Sequence, residues 1–228
     1  MPKIIKLFAN NESLYLFSDD LMWGCRYYAK QSREASHDYV VFLSNTSCIL
    51  LAASMLEAKI NELIANVVGL NSETAKVPLP FWRVLHDSRK ELSYKEKWNL
   101  IASASNGVLW DLSREPFQSY DLIVSLRNEL VHYKGEYGKG AAPPVKKIEG
   151  LLQRFKGPGF VFLGAPDDTH WVTELLSAKG LAEWVSETVD EFDMKFDHLL
   201  AGADFSEHEK WIYEMQRLSN NPFLPSTT

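Results

Sequence analysis

Hydrophobic positions recur at helical spacing along much of the chain. The first long stretch runs from Ser36 to Val68, and its apolar residues recur at steps of three and four: Ile49, Ala52, Leu56, Ile60, Leu63 and Val67. Such a stripe is typical of an amphipathic helix with one buried face. Gly69 follows directly and is well placed to end it. The pattern predicts a long core helix over residues 36–68.

The stretch "SYKEKWNLIASAS" predicts a second helix. Ser93 is a suitable N-cap because Glu96 stands three residues later, at the capping-box spacing. Asn106 and Gly107 follow the last apolar position and are expected to end the helix.

Two more helices are predicted towards the C-terminal half. Pro116 suits the first turn of one of them, since its missing amide hydrogen costs nothing there. Leu122, Leu126 and Leu130 follow at steps of four, and Gly135 is expected to stop this helix. A further amphipathic stripe reaches about Leu200; its apolar residues are Leu181, Trp184, Val185, Val189, Phe192, Phe196 and Leu199.

The remaining segments predict connections and extensions. Residues 1–35 contain "KIIKLF" and "SLYLF" around "ANNE", which favours a small β-hairpin. Residues 70–90 predict an irregular connection. Residues 135–169 predict a Gly-rich insertion with one or two helical turns in "IEGLLQRF" and a short strand or extended strap in "GFVFLGA". Residues 203–228 predict a short helix and a tail. Because each apolar stripe must be buried against another, we expect an all-α antiparallel bundle over residues 36–202.

Composition excludes few functions. The 228 residues carry a net charge of −6, with 46% hydrophobic content, which suits a soluble domain with a core. An acidic chain is not a general DNA coater, although a local basic patch can bind a phosphate backbone. Cys25 and Cys48 are too few for a disulfide framework and too far apart for a zinc knuckle. The apolar runs are too short for a spanning helix or a secretion signal. We therefore expect a cytoplasmic protein without membrane contact.

The helix after Pro116 carries a polar line in an otherwise apolar pattern. Asp121, Ser125, Asn128 and His132 are separated by four, three and four residues, so they share one face. Arg127 lies among apolar neighbours at the edge of the buried side. A buried guanidinium needs a partner or a ligand, because an unpaired charge is costly.

Two explanations of Arg127 remain open. Glu57 and Asn61 lie four residues apart on one face of the first long helix. In one interpretation Arg127 forms a structural ion pair with Glu57, and His132 lies on a solvated helix end. In the other, the polar line binds a ligand, and Glu57 and Asn61 support that site.

The residues around this line resemble the HEPN domain (higher eukaryotes and prokaryotes nucleotide-binding), an all-α family of nucleases, toxins and regulatory modules. Its signature is an arginine, a polar residue, three more residues and a histidine. Here the signature stands as "RNELVH", from Arg127 to His132, within "LRNELVHY". The resemblance extends to "LEAKINEL", "EKWNLI" and "LAEWVSETV", and covers roughly residues 37–135 and 170–200.

The resemblance implies a homodimeric, metal-independent endoribonuclease of toxin or defence type, in which two protomers bring their motifs into one cleft. His132 would take the proton of the ribose 2′-hydroxyl or protonate the leaving 5′-oxygen. Arg127 would hold the phosphate, and Asn128 would support both. If the helix ends near Gly135, His132 lies in its last turn, where the helix dipole favours the protonated ring.

Family variation leaves alternatives open. In a toxin branch a tyrosine stands two residues after the histidine and is modified by an antitoxin protein. Here Tyr133 stands one residue after, and Lys134 occupies the second place, so regulation by that route is not expected. RNA, a second copy of the chain and an antitoxin remain the implied partners. A non-catalytic HEPN-like module that dimerises and binds a nucleotide or partner is the alternative function, and an unrelated helical bundle is a third.

The segment after the motif is basic. Its basic residues are Lys134, Lys139, Lys146, Lys147, Arg154 and Lys156, against Glu136 and Glu149, so six minus two leaves a local charge of +4. Such a segment can follow an RNA backbone, with Tyr133 and Tyr137 available to stack on bases. A basic Gly-rich loop can equally be just solvated, and both interpretations remain open.

No metal or cofactor is expected. "PDDTHW" contains Asp167, Asp168 and His170, but ligands this close together without a distant fourth are more typical of a turn or helix cap. His208 lacks the second histidine of a zinc-protease helix. The sequence contains neither a Walker-type phosphate loop nor a serine elbow.

Overall fold

The computed structural model describes residues 15–69, 77–133, 146–159 and 170–199. In these ranges the chain forms eight α-helices and no β-strand. They are α1 (Phe17–Glu34), α2 (Asp38–Gly69), α3 (Leu79–Asp87), α4 (Tyr94–Ser105), α5 (Phe117–Val131), α6 (Lys146–Arg154), α7 (Trp171–Leu176) and α8 (Leu181–Leu199). The predicted all-α helical bundle is confirmed at this level for the described residues.

The chain divides into two compact units. The first unit comprises residues 1–20, 56–110 and 194–228, and the second comprises residues 21–55 and 111–193. Each unit combines segments that are distant in sequence, and α1, α2 and α8 contribute residues to both.

The first unit has a tryptophan-rich core. Trp82, Trp98 and Ile101 are fully buried. The Trp98 indole donates to the Val108 carbonyl at 2.8 Å, so its polar edge is satisfied inside the core. α4 begins at Ser93 with both halves of the predicted capping box, and Asn106 ends it in the left-handed conformation (φ 56°). Both predicted limits of this helix are confirmed.

Three helices, α1, α3 and α7, were not predicted. α1 lies in the segment assigned to an N-terminal extension, and it buries Leu21, Met22, Cys25 and Ala29 at helical spacing. The proposed hairpin is not confirmed: in "SLYLF", Tyr15 and Leu16 lie in neither a helix nor a strand, and Phe17 begins α1. Ser13, Leu14 and "KIIKLF" lie outside the described residues. α3 replaces part of the irregular connection predicted for residues 70–90. Its Pro80 stands in the first turn, where proline is tolerated, and does not mark a break.

A buried asparagine organises the second unit. The Asn45 amide donates to the carbonyls of Leu176 and Ala178 at 2.7 and 2.9 Å. Its side-chain oxygen accepts from the Ser32 hydroxyl at 2.8 Å and from the Ala182 backbone N–H at 3.2 Å. One side chain therefore connects α1, α2 and the turn between α7 and α8 with all its polar groups satisfied.

The two cysteines lie opposite each other in the second unit. Both are reduced and fully buried, and each sulfur lies within about 3.6 Å of the other residue's backbone carbonyl oxygen. The neighbouring Cys25 thiol, and then burial, raise the pKa of Cys48 well above its ordinary value. Cys48 therefore stays protonated and is a poor nucleophile.

α2 is apolar for most of its length. By length and composition alone, it is the one helix among the described residues that is long and apolar enough to cross a membrane. The buried residues of α2 include Ile49, Ala52 and Ile60, as the hydrophobic stripe predicts. No charged residue stands between Asp38 and Glu57, which explains the apolar character of this stretch.

Candidate active site at the end of α5

The RNELVH motif lies on the last turns of α5. The helix runs from Phe117 to Val131, and His132 is its C-cap, with its backbone N–H donating to the Asn128 carbonyl at 3.0 Å. The prediction that this helix continues to Gly135 was wrong. The backbone leaves the helical conformation at His132 (φ −102°, ψ 24°), so this residue caps the helix and is not inside its last turn.

The motif's polar side chains lie at the surface. Asn128 and His132 are exposed, and Arg127 is half-buried. The Arg127 guanidinium donates from Nη1 to the Asn128 side-chain oxygen at 3.0 Å. Within the described part of the second unit, no carboxylate lies within ion-pair distance of Arg127. A guanidinium has five N–H donors, so most of the Arg127 fork remains available to an anion.

The earlier half of the polar line has a structural role. Asp121 is buried, and its carboxylate accepts from the Lys147 ammonium of α6 at 2.9 Å. The Ser125 hydroxyl donates to the Asp121 backbone carbonyl at 2.7 Å. Of the lysines predicted to contact RNA, Lys147 thus ties α6 to α5, and Lys146 beside it is exposed. The other two, Lys134 and Lys139, lie outside the described residues.

Glu57 and Asn61 have a partner that the sequence did not indicate. In the first unit the Lys97 ammonium donates to the Asn61 side-chain oxygen at 3.0 Å and lies 3.5 Å from a Glu57 carboxylate oxygen. The Lys97 side chain is only 1% exposed. A buried ammonium requires such partners, so Lys97 gives Glu57 and Asn61 a structural role.

A histidine distant in sequence contacts the residue after the motif. The phenolic oxygen of Tyr133 lies 3.3 Å from Nε2 of His170, and the two rings meet edge to face with centroids 5.7 Å apart. His170 is also the N-cap of α7, where its Nδ1 accepts from the Val172 backbone N–H at 3.3 Å. The segment "PDDTHW" was expected to be a turn or helix cap, and at His170 it is a cap. Asp167 and Asp168 lie outside the described residues. The link to Tyr133 had no local signal, because 37 residues separate the two.

The described residues contain no group of three or more His, Cys, Asp or Glu side chains able to hold a metal ion. Comparisons of the chain with protein-family models, curated proteins and solved structures find no match. The chemistry of the motif and its surroundings is therefore the basis for the proposed function.

Proposed function

We propose that the protein is a metal-independent endoribonuclease of the HEPN type, with its site at the exposed end of α5. The observation that carries this proposal is the hydrogen bond from Arg127 to Asn128 beside the exposed His132. A cation that is oriented by its neighbour, and not neutralised by a carboxylate of its own unit, suits a phosphate ligand.

The chemistry needs an acid or base and an anion clamp. An imidazole can both accept and donate a proton, so His132 can accept the proton of a 2′-hydroxyl or donate one to the leaving 5′-oxygen. Arg127 balances the charge that develops on the phosphate oxygens in the transition state. As the C-cap, His132 lies at the exposed end of α5, where its side chain is open to an RNA ligand. Attack by the 2′-hydroxyl restricts the reaction to RNA.

We propose that the enzyme acts as a homodimer, and the exposed face of α2 supports this. Val40, Leu43, Ser47, Leu50 and Ser54 follow at alternating steps of three and four, the spacing of a helix–helix seam. Val40, Leu43 and Leu50 are 41%, 47% and 38% exposed, although a solvated helix face normally carries charged residues. Because this stretch has no charges, a second copy can pack on it without repulsion. The protein would work in the cytoplasm, with an antitoxin as its regulator.

Cleavage in the presence of EDTA tests the function. Purified protein is incubated with total RNA and tRNA, and wild type is compared with His132→Ala and Arg127→Ala at matched melting temperature and oligomeric state. We expect wild type to cut, leaving 2′,3′-cyclic phosphate ends, and both variants to lose activity by at least about 10²-fold. Absence of cutting by wild type, or equal cutting by all three proteins, would favour the non-catalytic binding module.

A further inference from the structure

The ring of Tyr133 is oriented by His170. Two contacts define this arrangement: the 3.3 Å approach of the Tyr133 oxygen to Nε2 and the edge-to-face packing of the rings, at an interplanar angle of 88°. Tyr133 is nevertheless 46% exposed. An aromatic ring that is oriented by a neighbouring side chain and still exposes nearly half of its surface can pack against a ligand.

The cap of α7 determines which nitrogen of His170 contacts Tyr133. Because Nδ1 accepts from the Val172 N–H, a neutral His170 carries its proton on Nε2. Nε2–H can then donate to the Tyr133 oxygen. His170 is held in turn by α7, since its ring also lies 5.9 Å from the ring of Trp171, which is 2% exposed.

We propose that Tyr133 is a stacking platform for one unpaired nucleobase next to the cleaved phosphate, and that His170 is its positioning residue. This inference rests on the proposed nuclease function. Tyr133 directly follows His132, and adjacent Cα atoms are about 3.8 Å apart, so a base on this ring belongs to a nucleotide beside the bound phosphate. Holding the ring in place beforehand lowers the entropy lost on binding.

The platform specifies the class of substrate. A base can stack on a side chain only when it is out of a duplex, so the substrate is single-stranded RNA or a loop and not a continuous helix. Every base has a π face, so stacking tolerates any sequence. The enzyme should therefore select unpaired positions with little preference for the base.

Cleavage kinetics test the platform. The probes are one short single-stranded RNA that wild type cuts and the same RNA annealed to its complement; the proteins are wild type, Tyr133→Phe, Tyr133→Ala and His170→Asn. We expect wild type to cut the single strand in preference to the duplex. Tyr133→Phe should keep the wild-type KM within about twofold. Tyr133→Ala should raise KM by about 5- to 150-fold, the range for one lost stacking contact. Asparagine is a good N-cap, so His170→Asn should keep α7 and raise KM by a smaller factor with little change in kcat.

A binding measurement separates the platform from a structural role. The same RNA with 2-aminopurine in place of single bases is titrated with the His132→Ala protein, with and without Tyr133→Ala, and quenching of the fluorophore reports stacking. Quenching that depends on Tyr133 supports the platform. If wild type cuts RNA but prefers duplex, or if Tyr133→Ala keeps KM and quenching, the platform is wrong while the nuclease stands. If Tyr133→Phe fails as Tyr133→Ala does, the hydroxyl matters and not the ring. If wild type cuts no RNA, the proposed function itself fails.

Discussion

Arg127 and Asn128 are adjacent in the chain, and their side chains are joined by a hydrogen bond of 3.0 Å at the exposed end of α5. The acceptor is a neutral amide, so the guanidinium is oriented while its charge is kept. An Arg127–carboxylate pair would orient the group equally well but would oppose binding of a phosphate. This difference between a neutral amide and a carboxylate partner predicts how substitutions of Arg127 and Asn128 affect cleavage.

We expect graded losses of cleavage at these two positions. Arg127→Lys keeps the charge but loses the planar fork, so kcat/KM should fall about tenfold or more. Arg127→Ala should cost about 10²- to 10³-fold, and Asn128→Ala, which removes one orienting hydrogen bond, about fivefold. Steady-state cleavage of RNA measures all three. Arg33→Lys is the control, because Arg33 forms an exposed ion pair with Glu183; full activity in Arg127→Lys would contradict a phosphate fork.

Asn45→Asp should destabilise the second unit strongly. The change keeps the size and one oxygen acceptor, but it sets a carboxylate oxygen against the carbonyls of Leu176 and Ala178, to which the amide now donates. Two lost hydrogen bonds and a buried charge predict a loss of about 2–4 kcal/mol in the free energy of unfolding. Urea denaturation at neutral pH measures it.

Asn99→Asp is the matched control for Asn45→Asp. The Asn99 side-chain oxygen accepts from the Trp110 backbone N–H at 2.8 Å, a contact that a carboxylate preserves. We expect a change within about 0.5 kcal/mol. Equal losses of unfolding free energy at both positions would show that the four hydrogen bonds of Asn45 do not account for its effect.

Glu62 should make stability depend on pH. Its carboxylate accepts from the Ser18 backbone N–H at 2.8 Å and from the Ser18 hydroxyl. Burial raises the pKa of Glu62 above its ordinary value, while the Ser18 hydrogen bonds oppose that shift. Because the folded state holds the proton more tightly than the unfolded state, this contribution is complete below the ordinary glutamate pKa. It is lost as pH rises through the raised pKa.

Glu62→Gln tests this dependence. The amide cannot ionise, so the stability of the variant relative to wild type should increase from about pH 4 to about pH 7, with the change centred above the ordinary glutamate value near 4.3. Urea unfolding of both proteins across this range measures the difference. Parallel stability curves would show that burial does not shift this carboxyl.

A charge on the α2 seam should separate the dimer. Leu43→Glu and Leu50→Glu each place a carboxylate on the exposed uncharged face, where two copies would bring like charges together. We expect a monomer by light scattering, with little change in the monomer's helicity. Val84→Glu is the control, since Val84 is 67% exposed on α3. If wild type is itself monomeric, or if both seam variants stay dimeric, α2 is not the interface.

Local signals in the sequence determined much of the fold. α2, α4, α5 and α8 each have an apolar stripe at helical spacing, and the Ser93 capping box and the Asn106 cap act within a few residues of each other. Periodicity and capping depend on neighbours in the chain, so they can be recognised without a structure. α1 and α3 were missed because short apolar runs suit a strand as well as a helix, and because proline can begin a helix as well as break one.

Some features of the candidate site were also predictable from the sequence, and others required the structure. Arg127, Asn128 and His132 lie within two helical turns, so the sequence alone brought them together. The hydrogen bond between Arg127 and Asn128, the helix end at His132 and the ring contact between Tyr133 and His170 required the structure.

The long-range contacts were decided by tertiary packing alone. Lys97 reaches Asn61 and Glu57 from another helix, Lys147 reaches Asp121, and Asn45 joins three parts of the second unit. Each pair depends on which helices meet and at what register, which no local pattern encodes. Burial then selects among the available partners, because a buried charge or amide must find one. Sequence therefore determined α2, α4, α5, α8 and the motif. The packing of distant helices determined which polar groups are structural and which face solvent.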